Sequence, residues 1–263
     1  MQITFYGTGS STPSPKVENK PFRSFSGWFV EISSDSLLFD VGSGVLHKML
    51  EDKVDIVKKP THLFISHFHI DHFADLMQLM QTRKVASKDK NDSSILNLIG
   101  PHGVNEIFEI LLGIEKIADP AYEIRKPELF EVKEMGEDFT FETNEWKVTS
   151  SPIKHFNGNC YRLDSNGKSV IYSGDMGYDE RICELGKNAD LAILECSYPD
   201  SRSDLHLGPM EIGKLAKLGN FKKVVLTHMY PACAGREEEV SNTIKKIAGC
   251  EVIIPQDSQK LEI

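Results

Sequence analysis

The stretch SHFHIDHFADLMQLM, residues 66–80, determines most of what can be inferred about the fold and chemistry of this chain. Within six positions it contains His67, His69, Asp71 and His72, directly after an apolar run and directly before a helical pattern. Alternate side chains of an extended segment point the same way, so His67, His69 and Asp71 are predicted to converge. Imidazole and carboxylate groups bind zinc. The motif therefore predicts a metal site, against the alternative of a polar turn with incidental histidines.

Two metal ions would need more ligands than this motif supplies, and similar side chains follow three later strand patterns. His155 follows WKVTSSPIK, Asp175 ends VIYSGD, and His228 ends VVLTH. Functional side chains are often carried by loops at strand ends, where a rigid scaffold positions them. Each residue alone predicts little, but three in the same setting indicate a shared site.

Composition narrows the class of protein. The chain has 263 residues, a formal net charge of −9 and 40% hydrophobic residues, which is typical of a globular protein with a sizeable core. The negative charge disfavours a long basic track for nucleic acid, because such binding neutralises phosphates with Lys and Arg. Five scattered cysteines without a CxxC pair indicate reduced thiols and a cytoplasmic location. We expect no signal peptide and no membrane span.

The element pattern predicts an α/β protein. Strand-like runs such as SLLFD, THLFIS and ILNLIG alternate with helical patterns, one of them opened by Pro209 and closed near Gly219. Residues 121–173 favour short strands, with a hairpin turning at DSNGK. Residues 83–95, RKVASKDKNDSSI, are predicted to form an exposed loop. The whole indicates two packed sheets sandwiched by helices, in a single domain over residues 1–263.

The HxHxDH motif, the downstream histidine, the SGD aspartate and the LTH histidine together resemble the metallo-β-lactamase-fold hydrolase superfamily. FYGTGSSTPSP and LLFDVGSG are similar, more narrowly, to its ribonuclease Z and phosphodiesterase branch. The resemblance covers nearly the whole chain. It implies an αββα four-layer sandwich and a hydrolase that uses a hydroxide bridging two divalent metal ions.

The resemblance also implies the ligand set. One ion would be held by His67, His69 and His155, the second by Asp71, His72 and His228, and Asp175 would bridge them. Zn²⁺ is the expected metal, although Mn²⁺ or Fe²⁺ can use the same nitrogen and oxygen ligands. Asp40, in FDVG, is expected to orient a ligand histidine by accepting its other ring N–H, as outer-shell carboxylates do; the alternative is a cap on the turn at Gly42.

Three residues are expected to carry catalysis: Asp71, His206 and Glu195. In the similar branch a histidine in this region, oriented by a glutamate, assists the leaving group, and His206 matches it by order and position. This chain has LEC and HLG where the branch commonly has His-Glu or His-x-Thr. A solvent-exposed neighbour of a helix cap is the alternative interpretation of His206.

The predicted substrate is a small anionic ester, such as a cyclic nucleotide-like phosphodiester. Ribonuclease Z proteins usually carry a tRNA-gripping arm between the third and fourth metal motifs, whereas only nineteen residues separate His155 from Asp175 here. Nucleic acid is disfavoured but stays open. The alternatives are a ribonuclease Z-type tRNA 3′ endonuclease and an arylsulfatase or lactonase of the same fold, because fold does not fix substrate.

Two further classes are weighed against a hydrolase. A binding protein without turnover is disfavoured because all seven ligand positions are filled. A redox di-iron protein is disfavoured because its motif replaces a histidine with a carboxylate. We also expect that the chain can form a homodimer.

Overall fold

The computed structural model describes residues 1–12, 22–90, 94–118, 127–137, 139–200 and 203–263. Within them the backbone forms two sheets of seven strands each. In spatial order the first sheet consists of β14 (Gln259–Glu262), β1 (Gln2–Gly7), β2 (Gly27–Ile32), β3 (Asp35–Phe39), β4 (His62–Phe64), β5 (Leu96–Gly100) and β6 (Phe130–Glu134). The second consists of β13 (Glu251–Ile253), β12 (Lys223–Thr227), β11 (Leu191–Glu195), β10 (Lys168–Tyr172), β9 (Asn159–Ser165), β8 (Trp146–Pro152) and β7 (Thr140–Glu142).

Both sheets are mixed. Strands β3, β4, β5 and β6 run parallel, as do β10, β11, β12 and β13, while the remaining neighbours are antiparallel. The carboxyl ends of parallel strands lie at one edge of a sheet, which is where ligand sites form in open α/β sheets. Each sheet therefore offers one edge for a site.

Helices cover the outer faces of the two sheets. They are α1 (Val45–Glu51), α2 (Ile70–Phe73), α3 (Leu76–Lys90), α4 (Val104–Ala118), α5 (Arg181–Leu185), α6 (Pro209–Gly219) and α7 (Glu237–Ala248). One apolar cluster joins α1, α3 and α4 to the first sheet, and another joins α5, α6 and α7 to the second. The order helices, sheet, sheet, helices confirms the predicted αββα sandwich. None of the described helices is long and apolar enough to cross a membrane.

A third apolar cluster fills the space between the sheets, and Phe39 lies at its centre. Its ring is stacked on Trp28 at 4.1 Å between centroids and on Phe64 at 4.9 Å. From the second sheet Tyr161 and Tyr172 meet it edge-on at 5.7 Å and 6.4 Å. Offset and edge-to-face pairs of this kind stabilise a core beyond the area that they bury. They fix the spacing of the two sheets and therefore of the strand ends.

The predicted loop at residues 83–95 is wrong over most of its length. Helix α3 continues to Lys90, and residues 91–93 lie outside the described part. Arg83 is buried, and its Nη2 donates to the carbonyl of Pro60 at 2.5 Å. Lys, Arg and Ala are good helix formers as well as common loop residues. Their charge therefore did not distinguish a loop from the end of a helix.

We expect Phe39→Ala to lower the free energy of unfolding by about 3–5 kcal/mol, because a fully buried phenyl ring is replaced by a cavity. Urea denaturation measures the change. Phe22→Ala is the control, since that ring is 56% exposed and such surface changes usually stay within about 0.5 kcal/mol. A similar loss in both variants would contradict the central place given to Phe39.

Candidate metal centre

The motif segment begins at the carboxyl end of β4 and leads into α2. His67 is fully buried, His69 is exposed, and Asp71 and His72 are buried in the first turn of α2. The backbone is still extended at His69, with φ −69° and ψ 142°, and α2 begins at the next residue. The segment thus presents one exposed and three buried ligand-type side chains to a single region.

The later strand ends bring the other predicted residues to the same place. His155 follows β8, Asp175 follows β10, and His228 follows β12. Ligand-type atoms that lie within 4.8 Å of one another define three groups: His67, His69, His155 and Asp175; Asp71, His72 and His228; and Asp175, His206 and His228. All seven sequence-predicted ligand residues thus meet, and Asp175 and His228 connect the groups.

Unpaired polar atoms mark the centre of this cluster. Among the buried side chains, Nε2 of His67, Nε2 of His72 and Oδ1 of Asp175 have no hydrogen-bond partner in the described part of the chain. Nε2 of His72 lies 3.2 Å from Asp175 Oδ1. Buried polar atoms are almost always paired. Nitrogen and carboxylate donors left open and facing one another fit divalent cations with N/O preference, such as Zn²⁺.

Charge in the cluster also suits cations. Burial would raise the pKa of Asp175, but His228 and His72 outweigh it and hold that pKa well below its usual range. Burial acts in the same way on Asp71, whose pKa is lowered by the hydrogen bond at 3.0 Å between its Oδ2 and His228 Nε2. Two ionised carboxylates therefore sit among the imidazoles.

Asp40 fixes the position of the HxHxDH segment through hydrogen bonds. Its fully buried carboxylate accepts hydrogen bonds from Ser66 N at 2.7 Å, Ser66 Oγ at 2.8 Å and Tyr172 Oη at 2.6 Å. Nδ1 of His72 lies 2.7 Å from Asp40 Oδ2. This contact assigns the proton to Nδ1 and leaves Nε2 as a lone-pair donor toward the cluster. The structure thus contains the contact expected from FDVG.

Gly174 allows Asp175 to reach the cluster. Its φ of 57° lies in the left-handed region, and a Cβ there would lie 2.8 Å from Ser66 Cβ. Glycine adopts this conformation at little cost and has no Cβ to clash. The SGD sequence therefore places the carboxylate directly against the segment that carries the first motif.

His206 and Glu195 also meet as predicted. Nδ1 of His206 lies 2.9 Å from Glu195 Oε1, and the Glu195 carboxylate is 1% exposed. Burial lowers the pKa of His206, but the hydrogen bond and charge of Glu195 outweigh it, so that pKa is raised. The His206 and His228 rings lie parallel at 5.7 Å between centroids. His206 therefore borders the cluster and is not a solvent-exposed cap neighbour.

Ser197 is a residue that the sequence reasoning missed. Its Oγ donates to Glu195 Oε2 at 2.6 Å and lies 2.9 Å from His228 Nδ1 and 3.2 Å from His206 Nδ1. It links the orientation of two histidines to one carboxylate. The available signal was its spacing, because two residues after a strand-end glutamate a side chain points the same way.

Comparisons with known proteins identify the class. The family model described as "Beta-lactamase superfamily domain" matches residues 35–229. The chain belongs to this family and is a metallo-β-lactamase-fold hydrolase of the branch similar to ribonuclease Z.

Several known proteins are similar to this chain in sequence or in fold. The chain is 24% identical to a ribonuclease Z from Methanosarcina mazei over 314 aligned positions, covering 100% of the chain and 98% of the relative. It is 27% identical to the probable metallo-hydrolase YhfI of Bacillus subtilis over 238 positions, covering 87% of each. The crystal structure of YhfI covers 100% of this chain and 99% of its own, with a TM-score of 0.83 and 22% identity. A diphosphatase of the PhnP family is similar in fold, with a TM-score of 0.74, 15% identity and coverage of 100% and 97%.

We expect Asp40→Asn to weaken metal binding by about 10- to 100-fold, the usual effect of losing an outer carboxylate. The amide nitrogen of Asn is itself a donor, and it would face groups that now donate hydrogen bonds to Asp40. His72 would then lose the contact that orients its ring. Competition with a chromophoric chelator measures the affinity. Asp164→Asn, at the far end of β9 beside Arg162, is the control; equal affinity in both variants would contradict the role of Asp40.

Proposed function

We propose that this chain is a metal-dependent phosphodiesterase that acts on a small, nucleotide-like phosphodiester. The observation that carries the proposal is the meeting of seven ligand-type side chains around buried atoms that have no hydrogen-bond partner. Buried polar atoms are almost always paired, and here three open ones, His67 Nε2, His72 Nε2 and Asp175 Oδ1, lie together in one cluster of the described residues.

Two cations fit the side chains present. His67, His69 and His155 would hold one, Asp71, His72 and His228 would hold the other, and Asp175 would contact both. When bound, such a pair supplies Lewis acidity and an activated water for hydrolysis. Zn²⁺ suits the imidazole-rich donors, and Mn²⁺ and Fe²⁺ are the alternatives.

The charge balance favours an anionic ester. The four positive charges of two divalent ions exceed the two negative charges of Asp71 and Asp175, so the occupied site would be positive although the chain is acidic. A phosphodiester gains negative charge in its transition state, and a positive, partly buried site stabilises it there more than in the ground state.

His206 is the residue suited to the leaving group. Glu195 Oε1 and Ser197 Oγ fix it through Nδ1, which leaves Nε2 to donate a proton to the departing oxygen. Burial lowers the pKa of His206, but Glu195 outweighs this and raises it, which favours the protonated form that a general acid needs. Glu195 and Ser197 position His206 and act through it.

The short segment between two of the predicted ligands favours a small substrate over tRNA. The chain between His155 and Asp175 is taken up by a turn and the β9–β10 hairpin. The alignment with the Methanosarcina mazei ribonuclease Z spans 314 positions against 263 residues here, so the relative has segments that this chain lacks. A tRNA 3′ endonuclease is the second candidate, and the names of the ribonuclease Z relatives favour it.

The five free cysteines suit the reducing cytoplasm.

We expect the purified protein to contain about two transition-metal ions per chain and to hydrolyse bis(p-nitrophenyl) phosphate. Asp175→Ala is expected to lose both metal and activity, because it removes the carboxylate that would contact both ions. Elemental analysis and release of p-nitrophenolate measure the two quantities. Asp164→Ala is the matched control and should keep both.

Metal-free wild-type protein purified without chelators would contradict the proposal. Turnover of a lactone or an aryl sulfate, with no turnover of phosphodiesters, would overturn the substrate class. Cleavage of a tRNA precursor at rates far above those for 2′,3′-cyclic nucleotides would favour the second candidate.

We expect His206→Ala to slow hydrolysis of a 2′,3′-cyclic nucleotide by about 100-fold or more, because an alkoxide leaving group needs a proton. The same variant should affect bis(p-nitrophenyl) phosphate much less, since p-nitrophenolate leaves unprotonated. Steady-state kinetics on both substrates measure the difference. Equal losses on the two substrates would show that His206 acts on something other than the leaving group.

A further inference from the structure

Phe156 is an exposed aromatic side chain at the edge of the candidate metal centre. It directly follows His155, and its ring is 63% exposed. The ring centroid lies 5.6 Å from that of His155 and 6.1 Å from that of His69. The interplanar angles are 65° and 62°, so neither imidazole lies flat against the phenyl ring. A planar group bound beside the centre therefore finds an open aromatic face.

The backbone around Phe156 is tied down although the ring is exposed. The amide of His155 donates to the carbonyl of Ile153 at 2.7 Å, and Gly158 N donates to the carbonyl of His155 at 3.3 Å. Asn157, with a left-handed φ of 52°, donates from Nδ2 to the carbonyl of His102 at 2.6 Å. A ring on a fixed turn loses little conformational entropy when a ligand covers it, which favours binding.

The aromatic rings on the other side of the centre are already in contact with protein. Tyr198 and Tyr230 are 5.1 Å apart and both are half-buried. Tyr230 also lies 5.7 Å from His206 and 5.5 Å from His228. Their rings serve the packing around the two histidines. Phe156 is exposed, so packing does not explain why an aromatic side chain stands at this position.

We propose that Phe156 is a stacking platform for a nucleobase, or a comparable planar aromatic group, on the non-leaving arm of the substrate. The inference rests on the proposed phosphodiesterase function and adds a substrate preference to it. Aromatic side chains stack on the face of any base and so bind bases with little sequence discrimination. Phe156 lies against His69 and His155, and His206, the residue assigned to the leaving group, lies against His155 and His228.

Two substrates that share a leaving group test this assignment. Thymidine 5′-(p-nitrophenyl) phosphate carries a base on the non-leaving arm, and methyl p-nitrophenyl phosphate carries none. Any effect of the common leaving group cancels in the ratio of their kcat/KM values. We expect the wild-type protein to prefer the thymidine ester, and Phe156→Ala to lower that ratio about tenfold, the factor that about 1.4 kcal/mol of lost stacking gives.

Further variants distinguish the effect of ring stacking from effects of side-chain volume and of general destabilisation. Phe156→Trp should keep the preference for the thymidine ester, while Phe156→Leu, which keeps apolar volume but has no ring, should lose it. Ile117→Ala, an 82% exposed apolar position on α4, should leave the ratio unchanged. Metal content should be equal in all variants.

The outcomes distinguish the two proposals. If the wild-type protein hydrolyses neither ester, the phosphodiesterase function itself fails. If it hydrolyses both and the ratio is the same in the wild type, Phe156→Ala and Phe156→Leu, the platform is overturned and the function stands. A loss of the same size on both esters likewise overturns the platform, because the ring would then support the centre and not the base.

Discussion

The ionised carboxylate of Asp175 is the constraint on which the site depends. The side chain is 2% exposed, and its oxygens lie 3.2 Å from Nε2 of both His72 and His228 and 3.7 Å from Nε2 of His67. A buried charge is costly unless it is paired or coordinates a metal. Burial would raise its pKa, but the surrounding imidazoles hold it well below the usual range, and Oδ1 has no hydrogen-bond partner among the described residues. The folded chain therefore maintains a group whose natural counterpart is a cation.

The two sheets place this carboxylate opposite its partners. The first sheet supplies the HxHxDH segment after β4, and the second supplies Asp175, His206 and His228 from the loops that follow its strands. The aromatic stack around Phe39 sets the spacing between the sheets. Asp40 then joins them directly, since it binds Ser66 and His72 of one half and Tyr172 of the other. Core packing and site geometry are thus consequences of the same interface.

Much of this arrangement was predictable from the sequence, because local spacing determines it. Strand periodicity predicted that His67, His69 and Asp71 converge; His67 and His69 do share a group, whereas Asp71 lies in α2 and groups with His72. The strand-end positions of Asp175 and His228 follow from short apolar runs. Ser197 could not be assigned in the same way, since its histidine partners lie 9 and 31 residues along the chain. The end of α3 was missed because charged helix formers resemble a solvated loop. The exposure of Phe156 is a tertiary property. The single-domain arrangement and a homodimer stay predictions.

The most direct measurement is anomalous X-ray diffraction from crystals of the protein as purified, recorded above and below the absorption edge of the metal found in it. We expect two anomalous peaks. One should lie between His67, His69 and His155, the other between Asp71, His72 and His228, with Asp175 in contact with both. Peaks at surface sites alone, with none among these seven side chains, would contradict it.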